Sequence, residues 1–171
     1  MKEISFPQMT GLTSPNPLTL VCTQKEDGTT NLSTISWWMP LSFNPNLFAV
    51  AINHGSHGGE RIRETGKAVV AIPAVGCEPY ILGCGSTNGG KVNKAEKFGI
   101  ELKNLDGTDI QVPVHCTAAV VGKLVRFEET GDHNLYIMEV EKVFGDEAET
   151  PLFAWKGYAE ANTAVRGTQV K

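Results

Sequence analysis

The sequence predicts a β-dominated domain with short helices, and three observations carry that prediction. Six apolar, β-branched-rich runs recur along the 171 residues, each bounded by Gly, Pro, Asn or Asp. Eighteen glycines and nine prolines punctuate the chain, which favours frequent turns over long helices. Only two segments carry helical spacing. No repeat of 20 to 50 residues and no low-complexity linker divides the sequence, so a single domain is expected over residues 1–171.

The elements follow in order. Residues 18–23 and 30–37 flank Lys25-Glu26-Asp27-Gly28, a polar turn of the kind that closes a β-hairpin. Pro40, Asn44 and Pro45 break the chain before a third run at 47–53. A helix is expected over 60–65, with Ser56 as its N-cap and Gly66 as its stop. A fourth strand is expected at 68–73. The second helix, 91–98, places Val92, Ala95 and Phe98 at spacing three and is closed by Gly99. Two long strands, 112–127 and 134–144, are joined by a turn at 128–133. The later one carries apolar residues on both faces at its start, which predicts burial on both sides of its first half. Six strands and two short helices indicate a Greek-key barrel or sandwich.

Composition narrows the function classes. Apolar residues make up 41% and charged residues 20%, enough to bury a core. With 15 Lys+Arg against 19 Asp+Glu, the net charge of −4 argues against nucleic acid or an anionic membrane as the main partner. The longest apolar stretches, 47–52 and 68–75, are too short to span a bilayer, and no hydrophobic signal core follows Lys2, so a cytoplasmic location is expected. Cys22, Cys77, Cys84 and Cys116 form no CxxC pair and no zinc-finger spacing, so no metal site is expected. Cys22 and Cys116 lie in strand-like runs and read as buried reduced thiols. Cys84, between two glycines, is free to face a site.

Four segments could carry chemistry. In Asn31-Leu-Ser-Thr-Ile-Ser-Trp-Trp38, alternation puts Thr34 and Ser36 on one side and Ser33, Ile35 and Trp37 on the other. This is either a half-exposed strand or a set of hydroxyls leading into Trp37 and Trp38, suited to a ligand polar at one end and aromatic at the other. Asn53-His-Gly-Ser-His-Gly-Gly-Glu-Arg-Ile-Arg63 runs from a strand end through glycines into a helix start, where free N–H donors favour a phosphate; ligand-free turns of this type are also common. Residues 83–94 resemble a dinucleotide loop only superficially, because the third fingerprint position is Asn88. They read as a flexible polar loop, with Lys91 and Lys94 either contacting a ligand or lying on a solvated face. His133, in Gly131-Asp-His133, could transfer a proton near neutral pH or simply sit exposed in a turn.

Taken in order, these pieces resemble the flavin reductase-like family, the FMN-binding split barrels that include flavoredoxin and NAD(P)H:flavin and ferric reductases. The resemblance runs from about Pro17 to Tyr158. It rests on Asn31 to Trp37 followed by Pro40-Leu-Ser-Phe-Asn-Pro45, on Gly55-Ser-His57, on Ile62-Arg-Glu-Thr-Gly66, on Cys84-Gly-Ser86 through Lys94, and on Gly131-Asp-His133. It implies a six-stranded antiparallel split barrel, a homodimer, and FMN near the subunit interface. Asn31, Ser33, Thr34, Ser36, Trp37 and Trp38 are then expected to line the flavin. Asn53, Ser56, His57 and Gly58 meet its ribityl phosphate, and Cys84, Ser86, Lys91 and Lys94 lie against it. His133 becomes the candidate catalytic residue.

Two departures mark this chain. Gly58 stands where such proteins often carry Thr or Ser, so a phosphate hydroxyl is missing and backbone N–H groups or Arg61 are expected to compensate. The usual SGR-x-x-DKF reads Asn88-Gly-Gly-Lys-Val-Asn-Lys-Ala95, which also admits an alignment of its Lys at Lys97 before Phe98. The activity implied is electron transfer through FMN, with NAD(P)H reducing flavin or ferric iron. The alternative is a flavoredoxin-type carrier that passes electrons between redox proteins.

Overall fold

The strand runs read from the sequence fold into one curled antiparallel sheet, and the short glycine-stopped helices pack around it. The structure is a computed structural model and describes residues 1–165; residues 166–171 of the expected domain lie outside the described residues. In chain order the elements are α1 (Phe6–Leu12), β1 (Asn16–Pro17), β2 (Thr19–Gln24), β3 (Thr30–Ile35), β4 (Trp38–Phe43), β5 (Asn46–Asn53), α2 (His57–Thr65) and β6 (Lys67–Pro73). They continue with α3 (Glu78–Ser86), α4 (Lys94–Phe98), β7 (Leu102–Leu105), β8 (Thr108–Pro113), β9 (Cys116–Thr130), β10 (His133–Gly145), β11 (Phe153–Trp155) and β12 (Glu160–Asn162).

The main sheet has seven strands in the order β3-β2-β6-β9-β10-β5-β4. Six of them are the expected strands and the seventh is β4. Its two edge strands are consecutive in the chain, so Ser36 and Trp37 carry the backbone from one edge directly to the other. The Trp37 carbonyl accepts the Ala51 N–H at 2.9 Å, which draws the β3 end toward β5 and curls the sheet on itself. This is the split barrel: the sheet curls until the end of β3 meets β5, and among the described residues no ladder joins its two edge strands.

Two apolar clusters fill the space on either side. One gathers Leu20, Leu32, Val69, Ile81, Val112 and Leu152; the other gathers Val21, Val50, Ile62, Val70, Tyr136 and Met138. Tyr136, Ile137 and Met138 are all buried, so β10 is covered on both faces where its sequence is apolar on both. Gly28 and Gly131 adopt positive φ in the two hairpin turns, and Gly66 and Gly99 end α2 and α4 in the left-handed conformation.

The structure corrects several boundaries. α2 starts at His57, three residues before its expected start, because the glycines at 58 and 59 are accommodated inside the helix. α4 starts at Lys94, where Asn93 caps it by accepting from the Ala95 and Glu96 N–H groups. The expected strand 112–127 is two strands, since Pro113 has no N–H to continue a ladder and β8 ends there. Of the expected loop 83–94, residues 83–86 form the end of helix α3, and residues 87–93 are turn and coil up to the start of α4.

Candidate functional site

Where the sheet splits, β3, the N-terminus of α2 and the end of α3 enclose a cleft of about 600 Å³. That volume falls within the usual range for small-molecule sites. Thr34 and His57 both line it, so the strand hydroxyls and the helix entrance share one cavity.

The β3 wall is an edge strand seen from its open side. The Leu32 carbonyl points away from β2 and accepts from Lys94 Nζ at 2.6 Å. Alternate residues of an antiparallel strand direct their peptide groups the same way, so Thr34 also turns its N–H and C=O outward. Ser33 and Thr34 both line the cleft even though their side chains leave opposite faces of the sheet, because the cavity caps the strand edge. Thr34 Oγ1 donates to the Ile81 carbonyl at 2.5 Å, pinning β3 to α3.

Lys94 is the most deeply buried charge of this wall, only 3% exposed. Its ammonium donates to the Leu32 carbonyl and, at 2.7 Å, to the Cys84 carbonyl, so one side chain ties together β3, α3 and α4. Burial pushes its pKa down to about 8, which leaves it mainly charged at neutral pH and ready to lose that charge in mild alkali. Beside it, burial pushes the Cys84 thiol up to about 11. The thiol stays protonated and is a poor nucleophile.

The α2 wall supplies donors. Ser56 is the N-cap in extended conformation, but its side chain makes no capping bond, so the first N–H groups of the nine-residue helix keep no side-chain partner. Glu60 is the first residue whose N–H is taken, by the Ser56 carbonyl at 3.1 Å. Gly58 and Gly59 are buried. A Cβ on Gly59 would stand 2.5 Å from the Tyr136 hydroxyl, which is why the helix entrance must be glycine there. His57 Nε2 is buried without a hydrogen-bond partner, and its ring lies between Glu26 at 3.9 Å and Glu60 at 3.8 Å.

The rim is open. Trp37 is 48% exposed and its ring lies 4.7 Å from that of His133, tilted by 36°. His133 Nδ1–H donates to the Asp132 carboxylate at 2.7 Å, which holds that carboxyl below its ordinary range and leaves Nε2 free to accept. His54 Nε2–H donates to the His133 carbonyl at 2.9 Å and fixes the turn.

The flavin reductase like domain model matches residues 11–162, which is most of the chain. The chain belongs to that family. Its fold is shared with a flavoredoxin from Methanosarcina acetivorans, at TM-score 0.85 and 20% identity over 99% of this chain and 94% of that one. It is similar to an FMN-binding protein from Thermus thermophilus, at TM-score 0.82 and 20% identity over 100% of this chain and 96% of that one. It is also similar to the NADH:FAD oxidoreductase SgcE6 of Streptomyces globisporus C-1027, at TM-score 0.82 and 15% identity over 97% of this chain and 99% of that one.

Within this flavin reductase like domain, twelve of the residues singled out from the sequence line the one cleft: Ser33, Thr34, Ser36 and Trp37 from β3 and the segment after it, Asn53, Ser56, His57 and Gly58 before and within α2, Cys84, Ser86 and Lys94 from α3 and α4, and His133 at the rim. Three lie elsewhere. Asn31 is buried behind the wall, where its Nδ2 donates to Thr23 and Ser33. Trp38 packs on the second apolar cluster, because the strand turns over after Trp37. Lys91 is exposed in the turn before α4. Lys97 is exposed as well, so the buried Lys at this position is Lys94. Arg61 does not reach the cleft: it is bound by Glu64, by Glu26 at 3.1 Å and by the Gln24 carbonyl at 2.8 Å.

The opposite side of the cleft could not be read from local motifs. Thr10, Thr13 and Asn16 line it from α1 and the start of β1, and Gly157 and Tyr158 from the turn after β11. One trace exists in retrospect. Gly85 sits inside α3 because a Cβ there would meet the Tyr158 ring at 2.6 Å.

Proposed function

We propose that this domain binds FMN noncovalently in the cleft between β3 and α2 and transfers electrons from NAD(P)H to flavin or ferric iron. The observation that carries this reading is the common cavity lined by Thr34 on one wall and His57 on the other. The residues present fit such a group. The unfilled N–H groups at the start of α2 and the orphaned His57 Nε2 suit an anionic ester. The outward peptide groups near Thr34 suit the polar edge of a planar ring, and Trp37 offers an aromatic wall. The domain's likeness to an FMN-binding protein and to an NADH:FAD oxidoreductase supports the same cofactor class and donor.

When bound, FMN supplies hydride acceptance and release in one- or two-electron steps. The chain's own residues do the rest. The α2 entrance, with Ser56, His57 and Gly58, holds the phosphate; Lys94 contributes positive charge and keeps β3 and α3 in register. Ser36 and Asn53 border the ring, and Cys84 and Ser86 close the floor. His133, fixed by Asp132 and tilted against Trp37, presents Nε2 at the open rim, where it orients the donor and can hold a proton for the departing product. Asn31 supports Ser33 from behind, Trp38 packs below Trp37, and Lys91 serves at most the outer surface.

The domain acts as a cytoplasmic homodimer in this reading. Edge strand β4 exposes Met39, Leu41 and the almost fully exposed Phe43, an apolar row that a second copy would cover.

The test begins with a visible spectrum with and without added FMN, followed by anaerobic mixing with NADH or NADPH. Flavin bands that bleach rapidly are the expected result. Flavin that binds but does not bleach makes the protein a flavoredoxin-type carrier between protein partners. No binding at all ends the proposal.

A further inference from the structure

Ser33 and Gly58 face each other at the point where β3 meets the entrance of α2. A Cβ on Gly58 would stand 2.8 Å from Ser33 Oγ, inside van der Waals contact, yet 3.6 Å from Ser33 Cβ, an ordinary separation. The severe conflict is therefore with the hydroxyl, and a lesser one, at 3.2 Å, is with Asn31 Nδ2, the amide that donates to that hydroxyl. Ser33 is 7% exposed and lines the cleft. Its Oγ accepts from Asn31 Nδ2 at 3.3 Å, and among the described residues its O–H donates to no protein group. A hydroxyl carries one donor besides its acceptor sites, so the free proton is the uncommitted part of this side chain.

Asn31 fixes where that proton can go. It is 1% exposed, its Nδ2 also donates to Thr23 Oγ1 at 3.4 Å, and its other end is pressed against Gly89, where a Cβ would stand 1.8 Å from Oδ1. With Asn31 Nδ2 donating to Ser33 Oγ from behind, the Ser33 O–H is left to turn toward the cleft, next to the open N–H groups of α2. Glu26 and Glu60 flank His57 within 4 Å, so the net charge around the helix entrance does not itself favour an anion. Directed donors must provide the selectivity.

We infer that Ser33 is the hydroxyl that anchors a phosphate monoester at the entrance of α2, and that residue 58 is glycine because the Ser33 hydroxyl, with the Asn31 amide beside it, occupies the space its side chain would need. The inference rests on the FMN reading and adds the source of the phosphate hydroxyl. A hydroxyl absent from the helix is supplied by the strand. The two positions are consequently coupled: either can carry the hydroxyl, but not both.

The experiment compares FMN with riboflavin, which lacks the phosphate, by flavin fluorescence titration of the full chain. The proteins are the wild type, Ser33→Ala, Gly58→Ser and the double variant Ser33→Ala/Gly58→Ser, each also followed by thermal melting. Ser33→Ala is expected to weaken FMN about tenfold or more, the effect of losing a hydrogen bond to a charged group, and to leave riboflavin within about twofold. Gly58→Ser is expected to lower both the melting temperature and FMN affinity, and the double variant to recover part of both, since the Asn31 amide at 3.2 Å must still give way. Ser33→Ala removes one atom and creates no clash, so its FMN-to-riboflavin ratio is readable even if Gly58→Ser does not fold. Equal loss of both flavins, or no loss of either, overturns the role of Ser33 while leaving FMN binding intact. A wild type that binds neither flavin overturns the FMN reading itself.

Discussion

The inner and outer walls of the cleft are built on different principles. On the inner wall Ser33, Thr34 and Lys94 are buried, and the hydrogen bonds of Thr34 and Lys94 fasten β3 to α3 and α4. On the outer wall Trp37 is half exposed, α1 has no buried residue, and the donors of Thr10 and Thr13 are spent on nearby carbonyls of their own segment. A wall fixed by many mutually dependent contacts suits a ligand that stays, whereas a wall fixed by few suits one that arrives and leaves. On the proposed function, the resident cofactor then belongs to the inner side and the exchanging substrate to the rim.

Lys94→Met breaks this comparison most severely. It leaves the Leu32 and Cys84 carbonyls buried without donors, at about 1–3 kcal/mol each. A loss of roughly 2–5 kcal/mol in urea unfolding is expected, together with loss of FMN binding. An unchanged unfolding midpoint would show that the inner wall is not held by this residue.

His133→Ala should act at the rim alone. We expect about a 10- to 100-fold slower reduction by NAD(P)H, at or below the usual range for a full general acid or base, with FMN affinity unchanged. Stopped-flow bleaching and a binding titration separate the two. Weaker FMN binding with an unchanged rate would reverse the division between the walls.

Alkaline pH sharpens the comparison through opposing signs. Burial raises the thiols of Cys22, Cys77, Cys84 and Cys116, so their contribution to stability is complete below about pH 9 and is lost as pH rises above it. Lys94 runs the other way. Its folded-state pKa of about 8 lies below the ordinary 10.5, so charging it penalises the fold below pH 8, and that penalty disappears between pH 8 and 10.5. The thiols outnumber the lysine, so flavin-free protein should lose stability above pH 9. The loss should be shallower in the wild type than in Lys94→Met, as measured by melting temperature across pH 8 to 10.5.

The smallest effect belongs to the outer surface. Leu12→Ser on α1 should change stability by less than about 0.5 kcal/mol, because Leu12 is exposed. A larger loss of melting temperature would mean that α1 is packed more firmly than the rest of the outer wall.

How much of this was legible in the sequence also divides along the walls. The six expected strands and both glycine-stopped helices could be read because their period and their stops are local properties of the chain. β4 was hidden by Pro40, which is admissible only because the strand lies at a sheet edge. α3 was hidden by Gly83 and Gly85, poor helix formers that are present because Phe98 and Tyr158 press on them, with Cβ positions 2.7 and 2.6 Å from those rings. Those pressures come from residues far along the chain. The cleft residues on β3 and α2 were visible as hydroxyls and glycines in short motifs. The outer wall was not, because Thr10 and Tyr158 lie close together only after β1 pairs with β11. Alternation placed Ser33 and Thr34 on opposite faces, as found, but could not show that both reach one cleft, since the cleft lies across the strand edge.

The account is tested most directly by crystals grown with FMN. Density for the flavin in the cleft, with its phosphate at the start of α2 and its ring beside Thr34 and Trp37, is the expected result. Flavin bound anywhere else, or a cleft filled by protein side chains in the presence of saturating FMN, would contradict it.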